Sequence, residues 1–437
     1  MTKQRVPAET ATLERDAPHC LYPSTAPPAA AFPPLDADAN ARVVVIGGGF
    51  TGLSAALHLA LRGVEVLLLE AREPGWGAAG RNGGQVNAGL KHEPDAVIAA
   101  LGETAGGRLI RLAGGAPDLL FDLVDRFGIA CEAERGGTLR AACTDAQASA
   151  LERSVETWRG LGVAMQSLDA AAVAAATGAT RYLAGTLDPR GGSVNPLALA
   201  RGLAAAAAQA GARLCGSTPA RSLVKSGSGW SVVTPGGTVR AERVLIATDG
   251  YTDDLVPGLR TSVVPVFSAI AATAPLPARL ASVMPSRCVV YETGAITAYY
   301  RRDAAGRLLM GGRGRQRASP KFGDYRHLVQ YALRLWPGLA GIEWTHWWNG
   351  QFALTPDFYP HFHHPAPGLY AALGYSGRGV ALGVAVGREL ASAGEGVALG
   401  DLAVPVTPIR RIAFHRFWRW GVAARIALGR LQDALGR

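Results

Sequence analysis

A chain of 437 residues is too long for one simple core and suits two closely packed domains; with 49% hydrophobic and 18% charged residues it is globular rather than disordered. The formal charge of +10 admits an anionic cofactor, an acidic lipid surface or nucleic acid. The basic residues are scattered arginines, grouped only at 301–317 and 410–425 and without the aromatic interleaving of a nucleic-acid surface, so no nucleic-acid partner is expected.

Residues 1–40 are rich in Pro and Ala, lack the apolar stretch of a signal peptide, and are expected to form an arm over the surface or to be partly disordered. Arg42 to Ile46 (V-V-V-I) reads as a buried parallel strand. Thr51 to Arg62 is a helix stopped by Gly63, and Val64 to Glu70 is the second strand of a βαβ start. A loop, Pro74 to Gln85, follows, and residues 94–176 are mostly helical with a strand pair near Gly137 to Ala142. Asn195-Pro196 opens a helix running to Gly211. Strands are predicted at Arg213 to Cys215, Ala220 to Val224, Trp230 to Val233 and Arg243 to Thr248, with Gly236-Gly237 as a hairpin turn. Val263 to Ala272, Ala295 to Arg301 and Leu308 to Gly311 belong to a larger sheet, and Tyr325 to Leu335 is helical. Leu369 to Leu373 is a strand, Gly379 to Ala393 a helix, and Phe414 to Leu435 a basic amphipathic helix.

No run of about 18 apolar residues is present, so no membrane span and a cytoplasmic location are expected. The five cysteines, Cys20, Cys131, Cys143, Cys215 and Cys288, lie far apart and read as buried reduced thiols. His361, His363 and His364 lack a partner at ligand spacing and read as a loop cluster, so no metal is expected.

The strongest motif is Gly47-x-Gly49-x-x-Gly52 at the strand-to-helix junction, with Glu70 about 20 residues on. Gly47 permits a tight turn, Gly49 a close approach of pyrophosphate, and Gly52 close packing of helix on strand. Phe50 and Thr51 open a helix whose free N–H groups suit a pyrophosphate. The Glu70 carboxylate suits ribose hydroxyls and disfavours a 2′-phosphate. NAD and FAD both satisfy this motif. The loop Gly75 to Gln85 leaves room for a flat ring system, with Arg81, Asn82 and Gln85 as anchors, or is an ordinary flexible loop.

The run V-V-V-I-G-G-G-F-T-G-L-S-A-A-L-H-L-A, followed by G-W-G-A-A-G-R-N-G-G-Q, resembles the D-amino-acid-oxidase superfamily of flavoproteins, nearest to its gamma-glutamylputrescine oxidase branch. Three further stretches carry the resemblance: Val244 to Tyr251 (V-L-I-A-T-D-G-Y), Ala353 to Pro360 (A-L-T-P-D-F-Y-P) and Gly374 to Val380 (G-Y-S-G-R-G-V). The resemblance implies FAD and an α/β fold: a discontinuous Rossmann-type FAD-binding domain with an inserted antiparallel-sheet substrate domain. The expected division is FAD domain 41–92, 190–258 and 346–410, substrate domain 93–189 and 259–345, and a C-terminal helix 411–437.

By resemblance the FAD contacts fall on Gly47, Gly49, Phe50, Thr51, Gly52, Glu70 and Ala71, then on Gly77, Ala78, Arg81, Asn82, Gly83, Gly84 and Gln85. Ala220 meets the adenine end, Thr248 and Gly250 the pyrophosphate and ribose, and Gly377, Arg378, Gly379 and Val380 the flavin pyrimidine edge. A helix N-terminus there stabilises the negative charge of reduced flavin.

The implied activity is oxidation of a primary or secondary amine, of gamma-glutamyl polyamine or amino acid type, by hydride transfer to flavin N5, with hydrolysis of the resulting imine. Such chemistry needs positioning more than acid–base groups. The substrate-side candidates are Tyr300, Arg302, Arg313 and Trp348. Strand alternation sends Tyr300 and Arg302 to one face and Tyr299 and Arg301 to the other. Oxygen or another acceptor takes the electrons. A quinone dehydrogenase resting on an anionic membrane through Phe414, Phe417, Trp418 and Trp420 is the alternative, with docking of that helix on the protein itself favoured, and a biosynthetic tailoring enzyme is a third reading.

Overall fold

The V-V-V-I run lies at the centre of a sheet. In the computed structural model, which describes residues 13–294 and 297–434, the strand Ala39–Ile46 pairs in parallel with Val66–Leu69 on one side and Gly237–Ile246 on the other. Val43, Val44 and Val45 are fully buried, as an unalternating apolar strand covered on both faces requires. Outward lie Arg213–Cys215 beyond Val66–Leu69, and Leu369–Leu373 then His361–Ala366 beyond Gly237–Ile246. The antiparallel strands Gly229–Thr234 and Ser222–Ser226 extend from Gly237–Ile246 and cover the other face. The helices Phe50–Leu61, Pro196–Gln209 and Ala381–Glu395 pack on the first face through Leu53, Leu57, Leu203 and Val384. This is a Rossmann-type cofactor layer built from three separated stretches of chain.

The second sheet runs in the order Trp344–Leu354, Val264–Thr273, Leu308–Arg313, Tyr299–Arg302, Val289–Glu292, Thr138–Ala142, Ala184–Asp188, Gln166–Asp169. Its pairs are antiparallel except Val289–Glu292 with Thr138–Ala142, so the sheet expected to be antiparallel is mixed. Thr138–Ala142 is a single strand, not a local pair; its partners come from residues 184–188 and 289–292. The predicted strand start at 295 and 296 lies outside the described residues, and the described strand is Tyr299–Arg302. Trp344–Leu354 runs along Val264–Thr273 from Val264 opposite Leu354 to Thr273 opposite Trp344, so the stretch from 346 to 354 belongs to the second sheet and not to the cofactor layer. The three histidines sit on the strand His361–Ala366 rather than in a loop. No group of three His, Cys, Asp or Glu side chains placed to share a metal occurs among the described residues.

Both ends of the chain differ from expectation. Cys20, Leu21 and Tyr22 of the arm are buried against Leu197 of the first domain and Ile270, Leu309 and Trp348 of the second. Three apolar residues inside a Pro/Ala-rich stretch are enough to wedge it between the two layers. At the other end, residues 410–415 are tied down by Ile412 N–H to Thr261 O at 2.8 Å and by His415 Nε2 against Val263 O at 2.8 Å. The helix itself is Trp418–Ala434; the predicted end at 435 lies outside the described residues. Among the described side chains of this helix, Trp418, Val422 and Ile426 form a half-buried stripe that ends at the buried Gly429. Phe414 before the helix and Trp420 on it are each 78% exposed, so the apolar residues here are only partly taken up by the core. No helix among the described residues is long and apolar enough to cross a membrane.

Candidate active site

A cavity of ≈ 510 Å³ runs from the Gly47–Gly49 turn, across the loop 76–85, to the second sheet. That volume is ordinary for a cofactor-and-substrate site. At its first end the glycine turn lies beside Glu70, whose carboxylate accepts from Gly48 N–H at 2.6 Å and Arg72 N–H at 2.8 Å. Burial pushes the Glu70 carboxyl above its usual range, and these two donors pull against that shift. Ala71 and Ala220 complete this end. Thr51 Oγ1 lies 2.6 Å from Tyr375 Oη, joining the first helix of the fingerprint to the turn before the last helix.

The loop after the second strand forms the cavity's long wall. Gly77, Ala78, Arg81, Asn82, Gly83 and Gln85 line it. The loop is pinned rather than flexible. Asn82 Nδ2 donates to Ala78 O and Ala79 O at 3.0 and 2.9 Å, and its Oδ1 accepts from Gly84 N–H at 2.8 Å. Arg81 lies over the Trp76 ring at 4.4 Å and donates from Nε to Trp76 O at 3.0 Å, while its buried Nη2 has no hydrogen-bond partner. Opposite stand Thr248 and the turn Gly377, Arg378, Gly379 and Val380, the last capping the helix Ala381–Glu395. Asp249 stands in the A-T-D-G stretch at φ 40° and accepts from Gly374 N–H at 2.8 Å; burial pushes its carboxyl upward.

Three of the residues carried over by resemblance lie behind the wall and shape it. A Cβ on Gly52 would fall 1.9 Å from Gly47 O, so this glycine serves packing. Gly84, at φ +68°, sits against Val194 O and Arg301, and the Gly250 carbonyl accepts from the Gln351 amide. The remainder open onto the cavity.

The substrate-side candidates are corrected by strand alternation. Tyr300 is fully buried in the second domain's core, with its hydroxyl 2.7 Å from Tyr182 Oη and its ring edge-on to Trp336. Arg302 shares that face and reaches Val283 O at 3.4 Å, away from the cavity. Tyr299 and Arg301 face the loop instead. Tyr299 lines the cavity with its hydroxyl 2.9 Å from Ser268 Oγ. Arg301 donates to Gly83 O at 2.7 Å and Val194 O at 3.1 Å, holding the loop to the second sheet. Trp348 is no cavity wall either: its indole N–H donates to Arg81 O at 2.9 Å and its ring meets Tyr22 edge-on. Arg313 alone of the four candidates lines the cavity, its guanidinium 5.8 Å from the Phe352 ring centroid.

Sequence reading missed Lys91, Tyr291 and Phe352, which join Tyr299 and Arg313 at the second end. No motif marks Lys91; it follows the pinned loop by a few residues. Tyr291 hides on the unpredicted strand Val289–Glu292.

The residues fit an FAD. The glycine turn leaves room at Gly49, where a Cβ would meet nothing nearer than Ala79 Cβ at 3.9 Å, and Arg81 offers an unmet buried donor. Gly47 to Thr51 would hold the pyrophosphate and Glu70 the ribose. A three-piece cofactor layer joined through one cavity to a second sheet marks an enzyme that works with a dinucleotide cofactor.

The family model for FAD dependent oxidoreductases (DAO) matches residues 42–393, and the chain belongs to that family. It is 33% identical over 373 residues to the gamma-glutamylputrescine oxidoreductase of Escherichia coli, covering 85% of this chain and 87% of that one. It is 32% identical over 398 residues to the probable oxidoreductase OrdL of Rhizobium meliloti, covering 89% and 92%. Among solved structures, glycine oxidase from Geobacillus kaustophilus superposes with a TM-score of 0.72 at 27% identity, over 86% of this chain and all of that one. The protein is an FAD-dependent oxidoreductase.

Proposed function

We propose that the enzyme oxidises a primary or secondary amine to an imine, which water then hydrolyses to a carbonyl compound and an amine or ammonia. The observation that carries this is the cavity's continuity: one space joins the cofactor cradle to a wall of Tyr299, Tyr291, Phe352 and Arg313 on the second sheet. The substrates named for the relatives, gamma-glutamylputrescine and glycine, are both amines. FAD, when bound, accepts a hydride at its N5.

The chain's own residues bind, orient and exclude water. Gly377 to Val380 and the loop 77–85 hold the ring system. The aromatic wall keeps the C–H bond of the substrate in a dry space, where positioning supplies most of the rate. Tyr299 is held by Ser268 and rests on Gly83 and Gly311, either of whose Cβ would lie within 2.7 Å of its ring, so it has a fixed orientation. The cysteines play no nucleophilic part in this scheme: burial pushes the Cys20 and Cys131 thiols up to about 12. The test is product analysis on the holoenzyme with a panel of amines. One carbonyl product per two electrons transferred supports the reading, and reduction of FAD by alcohols or hydroxy acids but by no amine would end it.

A second reading concerns the acceptor. The exposed Phe414, Phe417, Trp420 and Leu428 stand among Arg410, Arg411, Arg416, Arg419 and Arg425. An uncovered basic and aromatic helix favours contact with an anionic lipid surface, and with it a quinone acceptor. Flotation with anionic liposomes, together with less than one hydrogen peroxide per substrate oxidised, supports this version. Stoichiometric peroxide with no flotation supports oxygen.

A further inference from the structure

We infer that Lys91 and Arg313 form a subsite for a doubly negative acid end of the amine, such as two carboxylates or one phosphonate; this rests on the amine-oxidation reading above. Both side chains line the second end of the cavity, one from the loop beyond the pinned segment, the other from the end of the strand Leu308–Arg313. Among the described residues neither has an ion pair or a side-chain hydrogen bond. Arg313 lies over the Phe352 ring at 5.8 Å and feels the Tyr299 hydroxyl. Arg313 is half-buried and Lys91 keeps its surface on the cavity, so both are cations presented to that space, where a ligand can supply the opposite charge.

The surroundings add more positive than negative charge. Arg378 reaches Ala88 O at 2.7 Å and Tyr291 Oη at 2.9 Å, both neutral acceptors, from the turn assigned to the flavin ring. Arg140 lies behind, already paired with Glu93 at 3.0 Å. The cavity's own acids lie elsewhere: Glu70 at the fingerprint, Asp249 on Gly374 N–H, and Asp253 near Leu255. Burial, then the charges of Arg378, Arg313 and Arg140, push the Lys91 ammonium down to about 7. Lys91 is exposed all the same, and its surface faces the cavity it lines. Lys91 and Arg313 together exceed what a single carboxylate neutralises, and with Arg378 beside them they repel a free diamine.

The experiment titrates FAD-loaded enzyme with acetate, malonate, methylphosphonate and putrescine, reading the flavin absorption spectrum, and repeats it with Lys91→Met and Arg313→Met. Malonate or methylphosphonate is expected to bind at least tenfold tighter than acetate, with putrescine weakest. Which of the two dianions binds better decides between a dicarboxylate and a phosphonate. Each substitution should weaken dianion binding tenfold or more at unchanged FAD content and melting temperature. Wild-type affinity should also fall above about pH 7, where free Lys91 loses its proton, and Lys91→Met should lose that break. Equal affinity for acetate and the dianions, or variants that bind dianions as wild type does, overturns the subsite. Anaerobic mixing with amines separates the two readings. Dianion binding with no amine able to reduce the flavin leaves the subsite standing and removes the amine reading. Reduction by neutral amines as fast as by acidic ones does the reverse.

Discussion

The Cβ that Gly52 lacks would lie 1.9 Å from the carbonyl oxygen of Gly47, whereas one on Gly49 would meet only Ala79 Cβ at 3.9 Å. The two glycines of one motif therefore do different work. Gly52→Ala forces backbone against backbone, which no side-chain rotation relieves, and should cost roughly 3 kcal/mol or more, giving little soluble protein. Gly49→Ala should fold normally, with a melting temperature near wild type for the apoprotein, yet bind FAD at least tenfold more weakly because the methyl occupies the approach to the pyrophosphate. Fluorescence titration of apoprotein with FAD separates the cases.

Glu70 is buried, with two backbone donors committed to it. Glu70→Ala should therefore lower both FAD affinity and apoprotein stability: the first by tenfold to a hundredfold, the second by about 1–3 kcal/mol for unmet N–H groups. Glu70→Gln keeps one acceptor oxygen and should lie between. Paired FAD titrations and chemical denaturation read the two effects.

The Tyr22 hydroxyl donates to Asn82 O at 2.8 Å, and Trp348 donates to the neighbouring Arg81 O at 2.9 Å, so the arm and the second sheet both hold the cofactor loop. Tyr22→Phe should cost about 1 kcal/mol, and Trp348→Phe about 1–3 kcal/mol, with FAD release from the folded protein accelerated in both. Stopped-flow measurement of FAD dissociation checks this. Unchanged release would mean that the loop is rigid without them.

His58 sits on the fingerprint helix with Nδ1 2.8 Å from Ser54 O, and burial first, then Arg388, Arg62 and Arg126, pushes it down to about 4. In the unfolded chain it titrates near 6.5. Between these values the unfolded chain holds the extra proton, so stability is present above about pH 6.5 and is lost as pH falls towards 4. The loss should be on the order of 2 kcal/mol after allowance for partial exposure. His58→Asn should flatten that part of the stability-versus-pH curve measured by urea denaturation.

The cofactor layer was legible because its determinants are local. V-V-V-I, three glycines and Glu70 lie within one βαβ turn, and backbone close approach is written in glycine. The second sheet was less so, since strands such as Val289–Glu292 and Ala184–Asp188 are short and gain their identity only by pairing with the distant Thr138–Ala142. The alternation that separates Tyr299 and Arg301 from Tyr300 and Arg302 was readable, but which face met the cavity was not: that depends on Arg301 finding Gly83 O and Val194 O. Lys91 carries no local signal at all, because its character comes from its place on the cavity near Arg378 and Arg313. The arm was misjudged because composition averages over Cys20, Leu21 and Tyr22, the few residues that pack.

The most direct measurement is anaerobic addition of amines to the purified protein while the flavin's visible absorption is recorded. The account predicts a yellow protein that releases FAD on denaturation and bleaches with at least one amine, an acid-bearing one before a diamine. A colourless protein that FAD cannot reconstitute, or a flavin that no amine reduces, would contradict it.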